Sequence, residues 1–415
     1  MLTTTFSTKI PGLLLAWTAA AMLTGADAPK APPARPSSPY DPEVAKALKD
    51  AWPDHPEWVD MLSDILMEAP MGPQFGWFKT AVTQTRFTWD ATRNRLDHDG
   101  DGRIARREFP GSDADFARLD RDHDQILSGD DFDFSQGAPT AGAVVFSRVD
   151  RDGDGKVTRE ELEAFFKAAD RTGQDFLSQT DLIEALTPPR RPPGIPDNPS
   201  KATLVRGLFN QEIGSLQPGP RLDDSAPDFT LKTNDGAREL TLSKLVGPKP
   251  VVLIFGNFTC GPFRGQAGNF EKMYHRYKDR ATFVMVYVRE AHPTDGWRME
   301  SNDRVGVAHR QPQSYAERVD VAQTCGKRLA LSFPMLVDTI DDRVGALYSG
   351  MPGRFYLIDR AGKIAFKNGR GPYGFKPAEL EQSLVLLLQQ DAPATTAALE
   401  GRSPTGAPSH GDGSK

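Results

Sequence analysis

Cysteine is nearly absent from this 415-residue chain: there are two, Cys260 and Cys325. Two cysteines cannot form the framework of a disulfide-stapled fold. Either they bond to each other, or at least one thiol is kept for chemistry. Long apolar runs are also lacking. The longest, Gly12 to Leu23, has ~12 residues against the ~20 that span a bilayer. Positive charge is not in excess: 50 Lys and Arg stand against 56 Asp and Glu, a net −6. That leaves no electrostatic footprint for nucleic acid. With 38% hydrophobic and 26% charged residues the composition is that of a globular protein, and the length predicts two or three domains.

Lys9 before the apolar run, and Ala26 or Ala28 after it, read as a signal peptide over residues 1–28, with Ala26 the better site because Pro29 follows Ala28. The mature chain is therefore expected to be secreted or periplasmic, without a membrane span. Residues 29–42, rich in Pro, Ala and Ser, read as a flexible leader. Residues 43–186 read as a helical segment followed by a tandem of calcium loops. The helical part carries Trp52, Trp58, Trp77 and Trp89, taken as packing residues. Residues 187–225 read as a proline-rich linker, since Thr187 to Ser200 holds no helix or strand pattern. Residues 226–390 alternate strands and helices. The candidate strands are 226–231, 251–258, 281–288, 334–339, 354–359 and 362–367, and the candidate helices are 263–277, 314–329, 342–349 and 376–390. Such apolar strands, with helices between them, imply a sheet buried on both faces. Residues 391–415 have the composition of a disordered tail. The fold class predicted is multidomain: an all-α EF-hand module, then an α/β domain.

Aspartates are clustered. An EF-hand loop takes oxygen ligands at positions 1, 3, 5, 7 (backbone) and 12, with glycine at 6 for the turn. Asp97, Asp99, Asp101, Arg103 (backbone) and Glu108, with Gly102, fit every position. So do Asp150, Asp152, Asp154, Lys156 (backbone) and Glu161, with Gly155. A third copy has Asp120, Asp122, Asp124 and Asp131, but Gln125 stands at position 6 and position 12 is the shorter aspartate, so weaker binding is expected. A fourth, at Asp170, Thr172, Gln174 and Asp181, has lost two carboxylates and reads as a partner loop. Position 8 is aliphatic in all four (Ile104, Leu127, Val157, Leu177), where paired loops join through a short strand contact. The cofactor predicted is Ca²⁺.

Cys260 lies in Phe255-Gly-Asn-Phe-Thr259-Cys260-Gly261-Pro262-Phe263, between an apolar strand and a helix. Thioredoxins place Cys-Gly-Pro-Cys at this junction; here Phe263 replaces the second cysteine. A helix N-terminus favours thiolate, the nucleophilic form. The alternative is a buried core cysteine. The next strand runs into Tyr287, Glu290 and His292, and neighbouring parallel strands bring their C-terminal ends to one edge. Tyrosine, glutamate and histidine are proton carriers.

Here the chain resembles the iodothyronine deiodinases. The matching pieces are Thr259-Cys260, Glu290 to Trp297 (Glu-Ala-His-Pro-Thr-Asp-Gly-Trp), Tyr315 to Arg318 and Gly369 to Phe375. The resemblance spans about 226–388. It implies a thioredoxin fold and reductive removal of iodine from an aromatic ring. It implies catalytic roles for Cys260 (in place of selenocysteine), Thr259, Tyr287, Glu290 and His292. It also implies that Arg354 holds a substrate carboxylate, although a solvated surface arginine suits that position as well. Asn257 and Phe258 replace the family's small residues. Cys325 matches no family position and reads as helix core or as a resolving partner. The function expected is an exported calcium-binding oxidoreductase that dehalogenates a small aromatic substrate with an external thiol reductant, supplied by a small thiol or a thiol reductase. Two alternatives stand beside it. One is a thiol peroxidase, although Thr259 abuts Cys260 instead of preceding it by three residues. The other is a non-enzymatic calcium-binding protein.

Overall fold

The protein is described by a computed structural model over residues 42–54, 56–67, 82–134, 141–187, 199–372 and 374–390. The stretch expected to be a signal peptide, nearly all of the expected leader, Trp77, most of the Pro-rich stretch and the expected tail lie outside the described residues.

Ten strands are described: β1 (Gln84–Thr85), β2 (Ile104–Ala105), β3 (Ile126–Leu127), β4 (Thr230–Lys232), β5 (Glu239–Thr241), β6 (Val251–Gly256), β7 (Thr282–Tyr287), β8 (Met335–Val337), β9 (Arg354–Ile358) and β10 (Ile364–Lys367). β6 reads Val-Val-Leu-Ile-Phe-Gly and all six residues are buried. An uninterrupted apolar run without alternation is what a central strand covered on both faces requires. The main sheet has the order β1-β10-β9-β6-β7-β8. β6, β7 and β8 are parallel, while β9 runs antiparallel to β6, β10 to β9 and β1 to β10. Helices Gly261–Tyr277 and Pro377–Gln390 pack side by side, and helix Tyr315–Arg328 lies against β8. This is a thioredoxin-like arrangement, and five of the six strands expected from sequence lie in its sheet. The sixth, β4, instead forms a hairpin with β5 and touches β8 through one bridge, Thr233 to Leu336.

Three expectations are corrected. The calcium-loop segment is not a separate all-α module. β1 joins the main sheet, β2 pairs with β3, and Leu96, Ile104, Phe109, Phe116, Leu119 and Leu127 belong to the same apolar core as β6. A compact loop tandem without long helices has too little apolar surface to bury by itself, and the sheet domain supplies the rest. The linker of residues 187–225 is folded from Ser200 onward. The Ser200 hydroxyl caps the Thr203 amide, and helix Lys201–Phe209 buries Leu204 and Leu208 against helix Pro56–Leu66. Trp58, Met61 and Ile213 complete that second apolar cluster. The strand contact at loop position 8 forms between Ile104 and Leu127. Among the described residues Val157 and Leu177 form no strand pair, and Val157 is exposed.

Candidate active site and calcium loops

β6 ends at Gly256 and β7 at Tyr287, opposite each other in parallel register. The loops that follow, 257–260 and 288–297, are therefore neighbours. Cys260 is the N-cap residue of helix Gly261–Tyr277, and Pro262 sits in the first turn, where its missing N–H costs nothing.

The two loops are stitched by buried polar groups. Tyr287 donates its hydroxyl to Glu290 and accepts the Phe258 amide at 3.1 Å. Glu290 Oε2 accepts the Thr259 amide at 2.9 Å. Thr259 Oγ1 accepts the His292 amide at 3.0 Å and donates to Asn257 Oδ1 at 3.2 Å. Asn257 also accepts the Ala291 amide and donates to the Pro352 carbonyl at 2.9 Å, tying in a third loop. Burial pushes the Glu290 carboxyl up, against the opposing pull of its bonds from Tyr287 and Thr259. Burial first, then Glu290, pushes the Tyr287 phenol well up. Tyr287 and Glu290 thus lie behind the reactive surface and hold its backbone.

Cys260 and His292 share one cleft of about 60 Å³, whose walls include Trp297, Pro352, Glu212 and Ile213. The His292 ring meets Trp297 edge-on at 4.6 Å, and its Nδ1 lies 3.2 Å from the Trp297 carbonyl oxygen. A carbonyl only accepts, so Nδ1 carries the hydrogen in the neutral ring. A larger cavity, about 580 Å³, lies between residues 233–238 and 323–335 and contains none of these groups. Cys260 and His292 line the smaller one.

Cys260 departs from expectation in its surroundings. It is only 3% exposed, in a cleft whose walls include residues 212–213 and Trp297. Burial pushes its thiol up to about 11, against the Phe263 amide and the Arg264 guanidinium, which pull it down. Cys325 is fully buried in helix Tyr315–Arg328, and both thiols are free. Arg354 departs further. It is 1% exposed, neither a surface arginine nor a wall of the Cys260 cleft. Its Nη1 donates to the Pro218 carbonyl at 3.2 Å and its Nη2 lies 3.8 Å from Glu57. Arg370 also meets Glu57, at 2.5 Å.

Sequence reasoning missed Arg264, Asn302 and Gln311. Arg264 donates to the Phe258 carbonyl at 2.6 Å and to Asn302 Oδ1 at 2.7 Å, while Asn302 donates to the Thr259 carbonyl at 2.8 Å. Gln311 accepts the Glu290 amide and donates to the Glu290 carbonyl. Only Arg264 left a signal, its i+4 spacing from Cys260, which puts both on one helix face.

Three of the four EF-hand-like loops gather carboxylates. Asp97, Asp99 and Glu108 offer oxygens all within 4.8 Å of one another, and so do Asp120, Asp122 and Asp131, and Asp150, Asp152 and Glu161. Gly102 and Gly155 take the left-handed turn at position 6 with φ of 82° and 80°, and Gln125 is forced into it at 70°. Asp101, Asp124 and Asp154 each accept, at 2.8 Å, the amide two residues on, which belongs to Arg103, Ile126 and Lys156. Burial pushes the Asp131, Asp150 and Asp154 carboxyls up, and neighbouring aspartates add to it. Such an all-oxygen, mutually repelling donor set fits a hard divalent cation such as Ca²⁺. The Asp170 loop gathers no such group among the described residues, and its Asp170 carboxylate is taken up by the amides of Gly173, Gln174 and Asp175.

Comparison with known proteins places these features. Residues 212–387 match the model of the iodothyronine deiodinase family, and residues 143–167 match an EF hand. The chain is 31% identical to type I iodothyronine deiodinase of Xenopus laevis over 38% of its own length and 60% of that protein. It is 32% identical to thyroxine 5-deiodinase of Gallus gallus over 40% of its length and 60% of that protein. The chain thus spans about 60% of the length of these relatives. Among solved structures, the thioredoxin domain of a thiol-disulfide oxidoreductase from Bacteroides vulgatus is similar at 19% identity, covering 39% of this chain and 98% of that one, with a TM-score of 0.28. A secreted disulfide oxidoreductase of Mycobacterium tuberculosis is similar at 20%, covering 38% and 94%, with a TM-score of 0.27. Among the described residues no helix is long and apolar enough to cross a membrane. The stretch that matches the iodothyronine deiodinase family runs from residue 212, fourteen positions before the boundary expected from sequence, to residue 387.

Proposed function

We propose that the chain is a thiol-dependent reductive dehalogenase of deiodinase type, acting on an iodinated or otherwise halogenated phenol. The observation that carries this is the shared cleft of Cys260 and His292 at the ends of two adjacent parallel strands, within the family-matched domain. In the reaction the Cys260 thiolate attacks iodine. The carbon–iodine electron pair passes to the ring carbon, which takes a proton from the protonated His292 Nε2, and a sulfenyl iodide forms on Cys260. One external thiol displaces iodide to give a mixed disulfide, and a second releases Cys260 as thiol. The sum is aryl iodide plus two thiols giving arene, disulfide and hydrogen iodide. Thr259, Tyr287 and Glu290 position the two loops, and Glu290 is a reserve of protons behind them. Arg354 serves as a carboxylate site only once Glu57 moves away.

The reading extends to the rest of the chain. Ca²⁺ would be held by Asp97, Asp99 and Glu108, by Asp150, Asp152 and Glu161, and more weakly by Asp120, Asp122 and Asp131. When bound it would neutralise the loops and fix them on the sheet domain. Export rests on Lys9 and the run from Gly12 to Leu23.

With excess dithiothreitol and 3-iodophenol or a larger iodophenol, iodide should be released. Cys260→Ser should abolish the release, and His292→Ala should lower it by roughly 10²–10⁴-fold. A second reading, thiol peroxidase, is favoured by cleft size. About 60 Å³ holds a molecule the size of peroxide, whereas cavities that take benzene measure about 150 Å³. Fast peroxide consumption without iodide release would select it. Inactivity toward both substrates would favour a calcium-binding protein without catalysis.

A further inference from the structure

Arg264 is a buried cation without a buried anion. It is 5% exposed, and among the described residues no carboxylate lies in ion-pair contact with it. Its two terminal nitrogens reach only neutral oxygens, the Phe258 carbonyl at 2.6 Å and the Asn302 amide oxygen at 2.7 Å. Its Nε is buried and has no hydrogen-bond partner. Proteins seldom leave a guanidinium in this condition, because a buried charge without a compensating partner is strongly destabilising. The group one helical turn before it, on the same face, is Cys260.

We propose that Arg264 is the positioning counter-ion of the Cys260 thiolate, the one group of the site whose charge is complete only when the sulfur is ionised. This rests on the reading of Cys260 as the reactive thiol. Arg264 offsets part of the burial cost that ionisation carries for a cysteine sheltered from water. The other titratable groups near Cys260 supply no fixed positive charge to it. From the loop after β7 come Glu290, whose charge opposes thiolate, and His292, which titrates; from helix Tyr315–Arg328 comes Cys325, while that helix's Arg328 acts on Arg264 and reaches the Asp152 and Val305 carbonyls; from the segment after helix Lys201–Phe209 comes Glu212, which also opposes thiolate; Tyr287 is bound to Glu290. Arg264 is also held rigidly by Phe258 and Asn302, so its charge is preorganised toward a fixed point.

The test is the pH profile of iodoacetamide labelling of Cys260 in the full chain with calcium present, read by peptide mass spectrometry. In Arg264→Gln the midpoint should move up by about one unit or more, and labelling at pH 8 should slow roughly tenfold per unit. Arg264→Lys should recover most of the wild-type rate. Asn302→Asp, which gives Arg264 a carboxylate in place of an amide oxygen, should also raise the midpoint, and it keeps the test open if Arg264→Gln does not fold. A midpoint unchanged in both Arg264→Gln and Asn302→Asp would overturn the proposal, as would an Arg264→Lys profile that follows Arg264→Gln. Failure of wild-type Cys260 to label at any pH would instead remove the reading of Cys260 as the reactive thiol.

Discussion

The two pairs of EF-hand-like loops are alike in sequence and attached in different ways. The first pair, around Asp97 and Asp120, is built into the body. Ile104, Phe109, Phe116, Leu119 and Leu127 enter the main core. Gln382 donates to the Asp131 carbonyl, and Arg280 meets Asp115 at 3.0 Å. The second pair, around Asp150 and Asp170, leaves Leu162, Phe176 and Ile183 more than half exposed. Its Asp150 loop meets the body, backbone against backbone at Gly155 and through side chains on either side. A Cβ on Gly268 would lie 2.3 Å from the Gly155 carbonyl oxygen, Lys156 Nζ donates to the Leu329 carbonyl at 2.8 Å, and Arg328 reaches the Asp152 carbonyl. A ligand pattern fixes what a loop can bind. Whether the loop is a structural strut or an appendage depends on which side chains flank it.

The largest expected effect separates the two attachments. Leu119→Ala, at a fully buried site, should cost about 2–5 kcal/mol of global stability in urea unfolding. Leu162→Ala, at a site 54% exposed, should stay within about 0.5 kcal/mol. Equal losses would erase the distinction. Chelation comes next. EGTA should lower the melting temperature of the wild type, since a ligand bound only to the folded state at 100 times its Kd adds about 2.7 kcal/mol. The Asp97→Asn, Glu108→Gln double variant should lose most of that response, and Asp150→Asn, Glu161→Gln much less. The reverse order would make the second pair the strut.

What the sequence made legible follows the same division. Ligand spacing in the loops is a local property, and β6 and β7 show as apolar runs because both their faces are covered. The junction at Cys260 and the register that brings His292 beside it follow from parallel pairing. Less legible was anything decided by a distant segment. One wall of the cleft that holds Cys260 comes from residues 212–213, almost fifty positions earlier, in what read as linker. Arg354 looked like a substrate ligand because motif matching fixes a position in a strand, not what covers it, and Glu57 lies about three hundred residues away. β1, two residues long, has no pattern to find. Arg264 and Asn302 each look like an ordinary polar residue until the fold puts them on the carbonyls of Phe258 and Thr259.

Gly268→Ala probes the backbone contact alone. The added methyl cannot fit unless the Asp150 loop or helix Gly261–Tyr277 shifts, and such overpacking costs about 1–3 kcal/mol. If the loop gives way, calcium binding at the Asp150 site should weaken by up to about tenfold per 1.4 kcal/mol, while the Asp97 site is unchanged. Calorimetric titration of the variant against the wild type distinguishes the two sites. Unchanged affinity at both would mean that the second pair is docked more loosely than the close approach implies.

The smallest effect concerns a third attachment, that of helices Pro56–Leu66 and Lys201–Phe209, which combine an apolar cluster with an ion pair. Burial alone would push the Glu57 carboxyl up, but Arg370, Arg354 and Lys367 together hold it below its ordinary value of 4.5. Lys367 itself is brought down to about 7, by burial first and then by Arg354. A carboxylate with a lowered folded-state pKa contributes stability that is fully present above its unfolded value and is lost as pH falls through the folded one. Glu57→Gln should therefore be less stable than the wild type from pH 7 down to about 4.5, and the difference should close below that. The same substitution loosens the segment whose Glu212 and Ile213 wall the cleft, so Cys260 labelling should quicken at neutral pH. Because Trp58, Met61, Leu204 and Leu208 remain packed, the change should be modest. A gap that persists unchanged to pH 3 would show that Glu57 acts by packing and not by charge, and would make this attachment resemble the first loop pair.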